Sequence, residues 1–215
     1  MKVLVTGSSN GIGRAIAEKF LNCGHTVIGI DKVQSGLSHY HYTHIVTDIF
    51  SGRLPDIDGV EILVNNAGVQ DSGADIDINL KGTIRVTEQY AIQPQIKSVV
   101  FIASASATTG SEFPEYVASK GGMVAYMKNV ALRLAPLGAT SNSLSPGGVV
   151  TALNQHILDN PGLWQQVMDE TPLKKWAQPT EIAEWVYFIA VVNKSMTAQD
   201  IIIDNGESAR ANFIW

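Results

Sequence analysis

The chain has 215 residues, 45% of them hydrophobic, which is enough for one well-buried core and too short for two ordinary domains. A formal net charge of -5 with no run of lysines and arginines leaves no basic field to attract a nucleic-acid backbone. Cys23 is the single cysteine, which excludes an intrachain disulfide and a cysteine-rich metal site, and the longest apolar run, Ile182 to Val192, is interrupted by Glu184 and too short for a membrane span. A cytoplasmic protein without nucleic-acid or membrane partners is expected, the N-terminal apolar stretch being far shorter than a signal-peptide core.

Along the chain, short β-branched runs alternate with segments of helical period, the pattern of βαβ units closing a parallel sheet. Strands are predicted at Lys2 to Thr6, Thr26 to Ile30, His44 to Thr47, Glu61 to Val64, Ser98 to Ala103, Thr140 to Leu144 and Asp200 to Ile203. Helices are predicted between them at Gly11 to Cys23, Asp75 to Ile92, Glu115 to Ala135 and Thr180 to Val191. Continuous apolar runs such as Val99 to Ala103 suit strands buried on both faces. The expected fold is therefore α/β, a Rossmann-type doubly wound parallel sheet of about seven strands in a single domain spanning 1–215. Between Thr151 and Gln178 a polar, tryptophan-containing segment is broken by Asn160-Pro161-Gly162, and residues 152–178 are expected to form a mobile lid.

The first strand runs into a glycine-rich turn, Thr6-Gly7-Ser8-Ser9-Asn10-Gly11-Ile12-Gly13. Such a turn brings backbone amides close to a pyrophosphate, with the positive end of the following helix behind them. The spacing differs from the Gly-x-Gly-x-x-Gly of many dinucleotide folds and lacks the Gly-Lys-Ser/Thr ending of a nucleoside-triphosphatase loop. A tight connection without any ligand would look the same. Asp31, at the end of the second strand, decides between the two: a carboxylate there accepts hydrogen bonds from both adenosine-ribose hydroxyls and repels a 2′-phosphate. With Ser9 and Asn10 in the turn and no basic residue, NAD(H) is expected in preference to NADP(H).

Tyr116 and Lys120 stand at i and i+4 of the predicted helix and so share one face. A phenol, with an ordinary pKa of about 10, is a poor acid or base near neutrality, and a nearby ammonium stabilises its phenolate. Most Tyr/Lys pairs at this spacing are surface neighbours; it is the accompanying motifs that give this pair chemical meaning.

With these motifs assembled, the chain resembles the short-chain dehydrogenase/reductase family over nearly its whole length. Thr6-Gly7 to Gly13 is similar to the family's cofactor turn, Asp48-Ile49 to its adenine-contacting pair, and Asn65-Asn66-Ala67-Gly68 to its fourth-strand signature. Asn79, Ser104, Tyr116 and Lys120 fall at the places of the catalytic tetrad, and Pro146-Gly147-x-Val149-x-Thr151 resembles the nicotinamide-side motif. Asp204-Asn205-Gly206 resembles the family's C-terminal strand end. The resemblance implies that Tyr116 exchanges a proton with the substrate oxygen, and that Lys120 holds the nicotinamide ribose and lowers the Tyr116 pKa. It further implies that Ser104 hydrogen-bonds the substrate oxygen, Asn79 holds a water leading from Lys120 to solvent, and Thr151 with the Val149 backbone orients the carboxamide. Simpler readings stay open: Asn79 as a local helix amide, Thr151 as a cap, and Ser106 in place of Ser104, because the interval from Ser104 to Tyr116 is one residue shorter than usual in the family.

The segments from Asp31 to Asp48 and from Gly68 to Asn79 are short for the family, so the helix between the second and third strands is expected to shrink to a turn or vanish. His39, His41 and His44 lie among tyrosines; with no carboxylate or cysteine nearby to complete a ligand set, they are expected to be solvated strand-edge residues, with no metal. Small residues at Ala118, Gly121, Gly122 and Ala125 permit close packing of their helix, which in this family commonly lies on a two-fold axis, so a homodimer or homotetramer is expected. The apolar tail Asn212 to Trp215 is expected to pack on a second subunit or over the cleft. Phe113, Leu153, Leu163 and Trp164 suggest an apolar substrate pocket, and Glu112 and Glu115 disfavour a strongly anionic substrate. The expected activity is NAD(H)-dependent interconversion of a small or medium secondary alcohol, cyclic and steroid-like ones included, and its ketone. Two alternatives are an NADPH-dependent 3-ketoacyl-carrier reductase and a non-catalytic dinucleotide-sensing regulatory protein.

Overall fold

The computed structural model describes residues 1–209; the tail residues Asn212 to Trp215 lie outside them. Seven strands, β1 (Lys2–Thr6), β2 (Thr26–Asp31), β3 (Tyr42–Val46), β4 (Ile62–Asn65), β5 (Ser98–Ile102), β6 (Thr140–Pro146) and β7 (Asp200–Ile203), form one sheet in the order β3-β2-β1-β4-β5-β6-β7. Every neighbouring pair is parallel. The winding direction reverses between β1 and β4, and a doubly wound sheet opens a ligand crevice beyond the carboxyl ends of its strands at that point.

Alternation along β1 feeds two cores. Val3 and Val5 join Ile16 and Phe20 of α1 (Gly11–Asn22) and Ile182 and Val186 of α7 (Pro179–Tyr187). Leu4 points the other way, towards Val86 and Tyr90 of α2 (Thr83–Tyr90) and, beyond the short α3 (Ser106–Thr109), Met123, Met127 and Leu134 of α4 (Pro114–Leu134). With both faces covered, the central strands need no polar side, which explains the apolar runs of β1, β4 and β5.

No helix lies between β2 and β3, as the short spacing predicts. A hydrogen-bond chain holds this edge instead: His44 Nε2 lies 2.9 Å from the Val33 carbonyl, His44 Nδ1 3.1 Å from the Tyr42 phenol, and that phenol 3.1 Å from Ser8 Oγ. A carbonyl only accepts, so His44 carries its proton on Nε2, Tyr42 donates to Nδ1 and Ser8 donates to Tyr42. Gly29 makes the chain possible, because a Cβ there would collide with Tyr42 Oη and Ser8 Oγ. The strand accordingly begins at Tyr42, two residues before the expected start, with Tyr42 paired to Val27. His44 is thus an engaged residue and not a solvated one.

Two of the predicted helices carry a wider π turn. The second opens with one over Ile76–Gly82 before α2, and the fourth ends in one over Phe188–Val192 after α7. The segment 152–178, expected to be a lid, is largely helical, with a 3-10 turn at Ala152–Asn154, α5 (Gln155–Leu158) and α6 (Pro161–Glu170). Asn160-Pro161-Gly162 starts a helix here and does not break the segment: Asn160 Oδ1 accepts from Gly162 N and Leu163 N, both at 3.1 Å, and Pro161 occupies the first helical position. Among the described residues no helix is long and apolar enough to cross a membrane.

Candidate active site

A cleft of about 1540 Å³ lies along the carboxyl ends of the strands. Small-ligand pockets typically enclose roughly 300–1,000 Å³, so this one has room for an extended ligand and a second molecule. Gly7, Asn10, Gly11, Ile12, Asp31, Asp48, Ile49, Asn66, Ala67, Gly68, Ser104, Tyr116, Lys120, Pro146, Gly147, Val149 and Thr151 all line it. Three sequence candidates do not: Ser9, Gly13 and Asn79 support lining residues from behind.

At one end the glycine turn is fastened to the end of β4. Thr6 Oγ1 accepts from Asn66 N at 3.0 Å and Ala67 N at 3.1 Å, while Asn66 Nδ2 donates to Thr6 O at 3.0 Å and Gly7 O at 3.1 Å. Gly7 has φ +66, and a Cβ on it would stand 2.8 Å from the Ala67 Cα. A Cβ on Gly13 would collide with Gly7 O and Asn66 Nδ2, so that glycine serves close packing of α1 on the turn. Asn10 caps α1 without a side-chain bond, and no acidic residue lies in the first turn. The helix therefore presents its positive end and unsatisfied amides to the cleft, a ready site for a phosphate.

Asp31 Oδ2 accepts from Ser9 N at 2.9 Å and Oδ1 from Val33 N at 3.2 Å, which leaves lone pairs on both oxygens for a ligand. Ser9 also donates from Oγ to Val33 O at 3.1 Å, so it fixes Asp31 and the loop after β2. Asp48 Oδ1 accepts from Phe50 N at 2.7 Å and Ser51 N at 2.9 Å, and these bonds, that from Ser51 foremost, hold its carboxyl below the usual carboxylate range.

At the other end, Tyr116 and Lys120 project from α4, with Lys120 Nζ 5.6 Å from the centre of the Tyr116 ring. Lys120 is buried, and its Nζ donates to Ile102 O at 2.9 Å. Burial pulls its pKa down to about 8 against the pull of the Glu112 and Asp75 carboxylates. Burial likewise pushes the Tyr116 phenol up to about 12; a hydrogen bond with Ser104 opposes the rise, and the charges of Glu112 and Asp75 add to it. The expected lowering of Tyr116 is therefore replaced by a rise, in which loss of solvation is the largest cause and Lys120 is not among the causes.

Of the two serines, Ser104 is the one that meets Tyr116. Ser106 stands behind it and donates to Ser104 Oγ from its own Oγ at 2.9 Å and from its amide at 3.2 Å, leaving the Ser104 proton free to point into the cleft. Asn79, fully buried in the π turn, spends its amide on the chain: Nδ2 donates to Val69 O at 2.9 Å and Ser119 Oγ at 3.0 Å, and Oδ1 accepts from Val69 N at 2.8 Å. Its side chain positions residues 68 and 69 beside Lys120, with both amide hydrogens engaged and one acceptor position of Oδ1 left over. Thr151 makes no side-chain cap. Its Cγ2 would lie 3.5 Å from a Cβ on Gly11, which places it beside the glycine turn. Gly122 packs within its own chain, since a Cβ there would stand 2.8 Å from Leu80 Cδ2.

The substrate end is walled by Phe113, Leu153, Leu163 and Trp176. Trp164 does not line it and instead packs edge-on against Trp176, with ring centres 5.2 Å apart. Glu112 lines the cleft and Glu115 does not. Glu207 lines it as well and was not foreseen. The only signal for it was the preceding Asp204-Asn205-Gly206, whose left-handed backbone at Asn205 (φ 56) and Gly206 (φ 89) turns the chain back towards the site.

One cleft thus joins an exposed helix terminus and a carboxylate with lone pairs to spare to a half-buried tyrosine, a buried serine and a buried lysine, which is the construction of a dinucleotide-dependent oxidoreductase. A family profile described as enoyl-(acyl carrier protein) reductase matches residues 42–208, and the chain belongs to the short-chain dehydrogenase/reductase family. It is 29% identical to the 3-oxoacyl-[acyl-carrier-protein] reductase FabG of Aquifex aeolicus, over 94% of this chain and 95% of that one. Among solved structures it is similar to the aldohexose dehydrogenase of Thermoplasma acidophilum, at 28% identity and TM-score 0.87 over 100% of this chain and 96% of the other. A short chain dehydrogenase family protein from Francisella tularensis matches at 29% identity and TM-score 0.85, covering 97% and 99%.

Proposed function

We propose that the protein interconverts a secondary alcohol and its ketone with NAD(H) as the preferred hydride carrier. The observation that carries this reading is the placing of the Tyr116 phenol between Ser104 and Lys120 in the same cleft as Asp31. The residues present fit the dinucleotide: the amides from Gly7 to Ile12 would hold its pyrophosphate, Asp31 the adenosine ribose, Lys120 the other ribose, and Thr151 with the Val149 backbone the carboxamide. The chemistry the cofactor supplies when bound is hydride acceptance or donation at its nicotinamide ring. In alcohol oxidation Tyr116 takes the hydroxyl proton, and Ser104 donates a hydrogen bond to the substrate oxygen as charge develops on it. In ketone reduction Tyr116 returns that proton, and Asn79 acts by holding residues 68 and 69 against Lys120. The segment 152–178 serves as a lid over the substrate.

A second reading, an NADPH-dependent 3-ketoacyl-carrier reductase, draws on the name of the Aquifex aeolicus relative and on Lys32, which lines the cleft beside Asp31 and could pair with a 2′-phosphate. Asp31 itself, the net charge of -5 and the two carboxylates at the substrate end weigh against NADPH and an acidic carrier. Fluorescence titration with NADH and NADPH separates the readings. Tighter NADH binding with oxidation of secondary alcohols supports the first, whereas tighter NADPH binding with reduction of a 3-ketoacyl thioester supports the second. NADH binding without turnover of any alcohol or ketone would point to a dinucleotide sensor.

A further inference from the structure

We infer that the substrate is a polyol, with hydroxyl groups flanking the carbon that is oxidised, and that Glu112 is the residue that selects it. This deepens the secondary-alcohol reading and rests on it. Glu112 and Glu207 come from distant parts of the chain and line the cleft that holds Tyr116. Gln70 Nε2 donates to Glu112 Oε2 at 2.9 Å, whereas Glu207 accepts from Thr171 Oγ1 at 3.0 Å and also meets the Gly148 amide and the Trp176 indole. A carboxylate has about four acceptor positions, so Glu112 is the one that keeps most of its capacity for a ligand. Among the described residues neither forms an ion pair.

Glu112 also sits at φ 85, a backbone region costly for a residue with a side chain. Its charge is felt by Tyr116, Lys120 and Glu207, which places its carboxyl at the reacting end of the cleft. Glu112 is exposed to the open cleft and Glu207 half-buried in it, so an unfunctionalised hydrocarbon alcohol would displace water from both carboxyls and offer no donor in return. Substrate hydroxyls supply the missing donors. The neutral residues Thr109, Ser111 and Gln166 line the same cleft and extend a hydrogen-bonding wall suited to an uncharged polyol more than to a cation.

The experiment measures kcat/KM for cofactor reduction with cyclohexanol, a set of cyclitols and aldohexoses, and trans-2-aminocyclohexanol, in the wild type, Glu112→Gln and Glu112→Ala. Sites built to bond a substrate hydroxyl can reject analogues without it by roughly 10⁴; here at least one polyol should exceed cyclohexanol and the amino alcohol by roughly 100-fold. That ratio should fall about tenfold or more in Glu112→Ala, with Glu112→Gln in between because its amide oxygen still accepts. A ratio near one in the wild type, a preference for the amino alcohol, or a ratio unmoved by Glu112→Gln would overturn the inference while leaving the dehydrogenase in place. Cofactor binding with no alcohol oxidised would remove the dehydrogenase reading and this inference together. The wild-type ratio decides even if Glu112→Ala fails to fold.

Discussion

The cofactor end and the substrate end of the cleft are built on different principles. Between Thr6 and Gly68 the lining is mostly backbone, held by Thr6 Oγ1, the Asn66 amide and glycines that admit no Cβ. Around residues 152–170 it is mostly side chain: Leu153 is 60% exposed, and Met168 is the one residue of α6 counted as buried. Backbone contacts tolerate almost no substitution, whereas an exposed side chain can change identity at small cost in stability. The first end therefore serves any reaction of the fold, and the second is where one enzyme becomes distinct from another.

Substitutions at the two ends should differ accordingly. Gly13→Val puts side-chain atoms where Gly7 O and Asn66 Nδ2 stand, and should cost about 3 kcal/mol or more of stability and abolish measurable NADH binding. Chemical denaturation and fluorescence titration would show it; a stable variant with unchanged affinity would refute the packing argument. Asn66→Ala removes two donors from partly buried carbonyls and should cost about 1–3 kcal/mol, read as a drop in Tm of roughly 2–4 °C per kcal/mol. At the other end, Leu153→Ala should leave stability within about 0.5 kcal/mol and change relative kcat/KM across substrates. Equal effects of Asn66→Ala and Leu153→Ala on Tm would erase the contrast.

A pH series tests the buried pair between the two ends. Lys120 falls from 10.5 to about 8 on folding, so between these values the unfolded chain binds the extra proton. Its contribution to stability is unfavourable below about pH 8 and is relieved as pH rises towards 10.5. Tyr116 rises from 10.0 to about 12, so above pH 10 the unfolded chain loses its proton first and stability falls again. Tyr90 and Tyr126 are raised as well and act in the same sense. Urea midpoints should therefore pass through a maximum on the alkaline side, and Lys120→Met should remove the rising limb. A midpoint indifferent to Lys120→Met over that range would contradict the burial of the ammonium.

Most of the fold was legible because its signals are local and obligatory. Short β-branched or apolar runs marked strands such as β1, β4 and β5, and the glycines of the turn are required by Gly7 at φ +66 and the close approach at Gly13. What stayed hidden depends on where side chains turn in space. Nothing in the sequence shows that Asn79 spends its amide on Val69 and Ser119, or that Gly13 and Ser9 face away from the cleft. The Tyr116 pKa was misjudged because spacing reveals a neighbouring ammonium and not the loss of water around both groups. Glu207 was invisible because its convergence with Glu112 needs the whole sheet between them. Asn160-Pro161-Gly162 reads as a break in the sequence because these residues mark a turn in most settings, whereas here they supply a cap and a first helical residue.

The decisive measurement is cofactor reduction by the wild type and by Tyr116→Phe on the best secondary alcohol found, with NADH affinity measured on both. Loss of the phenol proton acceptor should lower kcat by roughly 10²–10⁴ while NADH binds both proteins with similar affinity. Undiminished turnover in Tyr116→Phe would contradict the assignment of Tyr116 as the group that exchanges the proton.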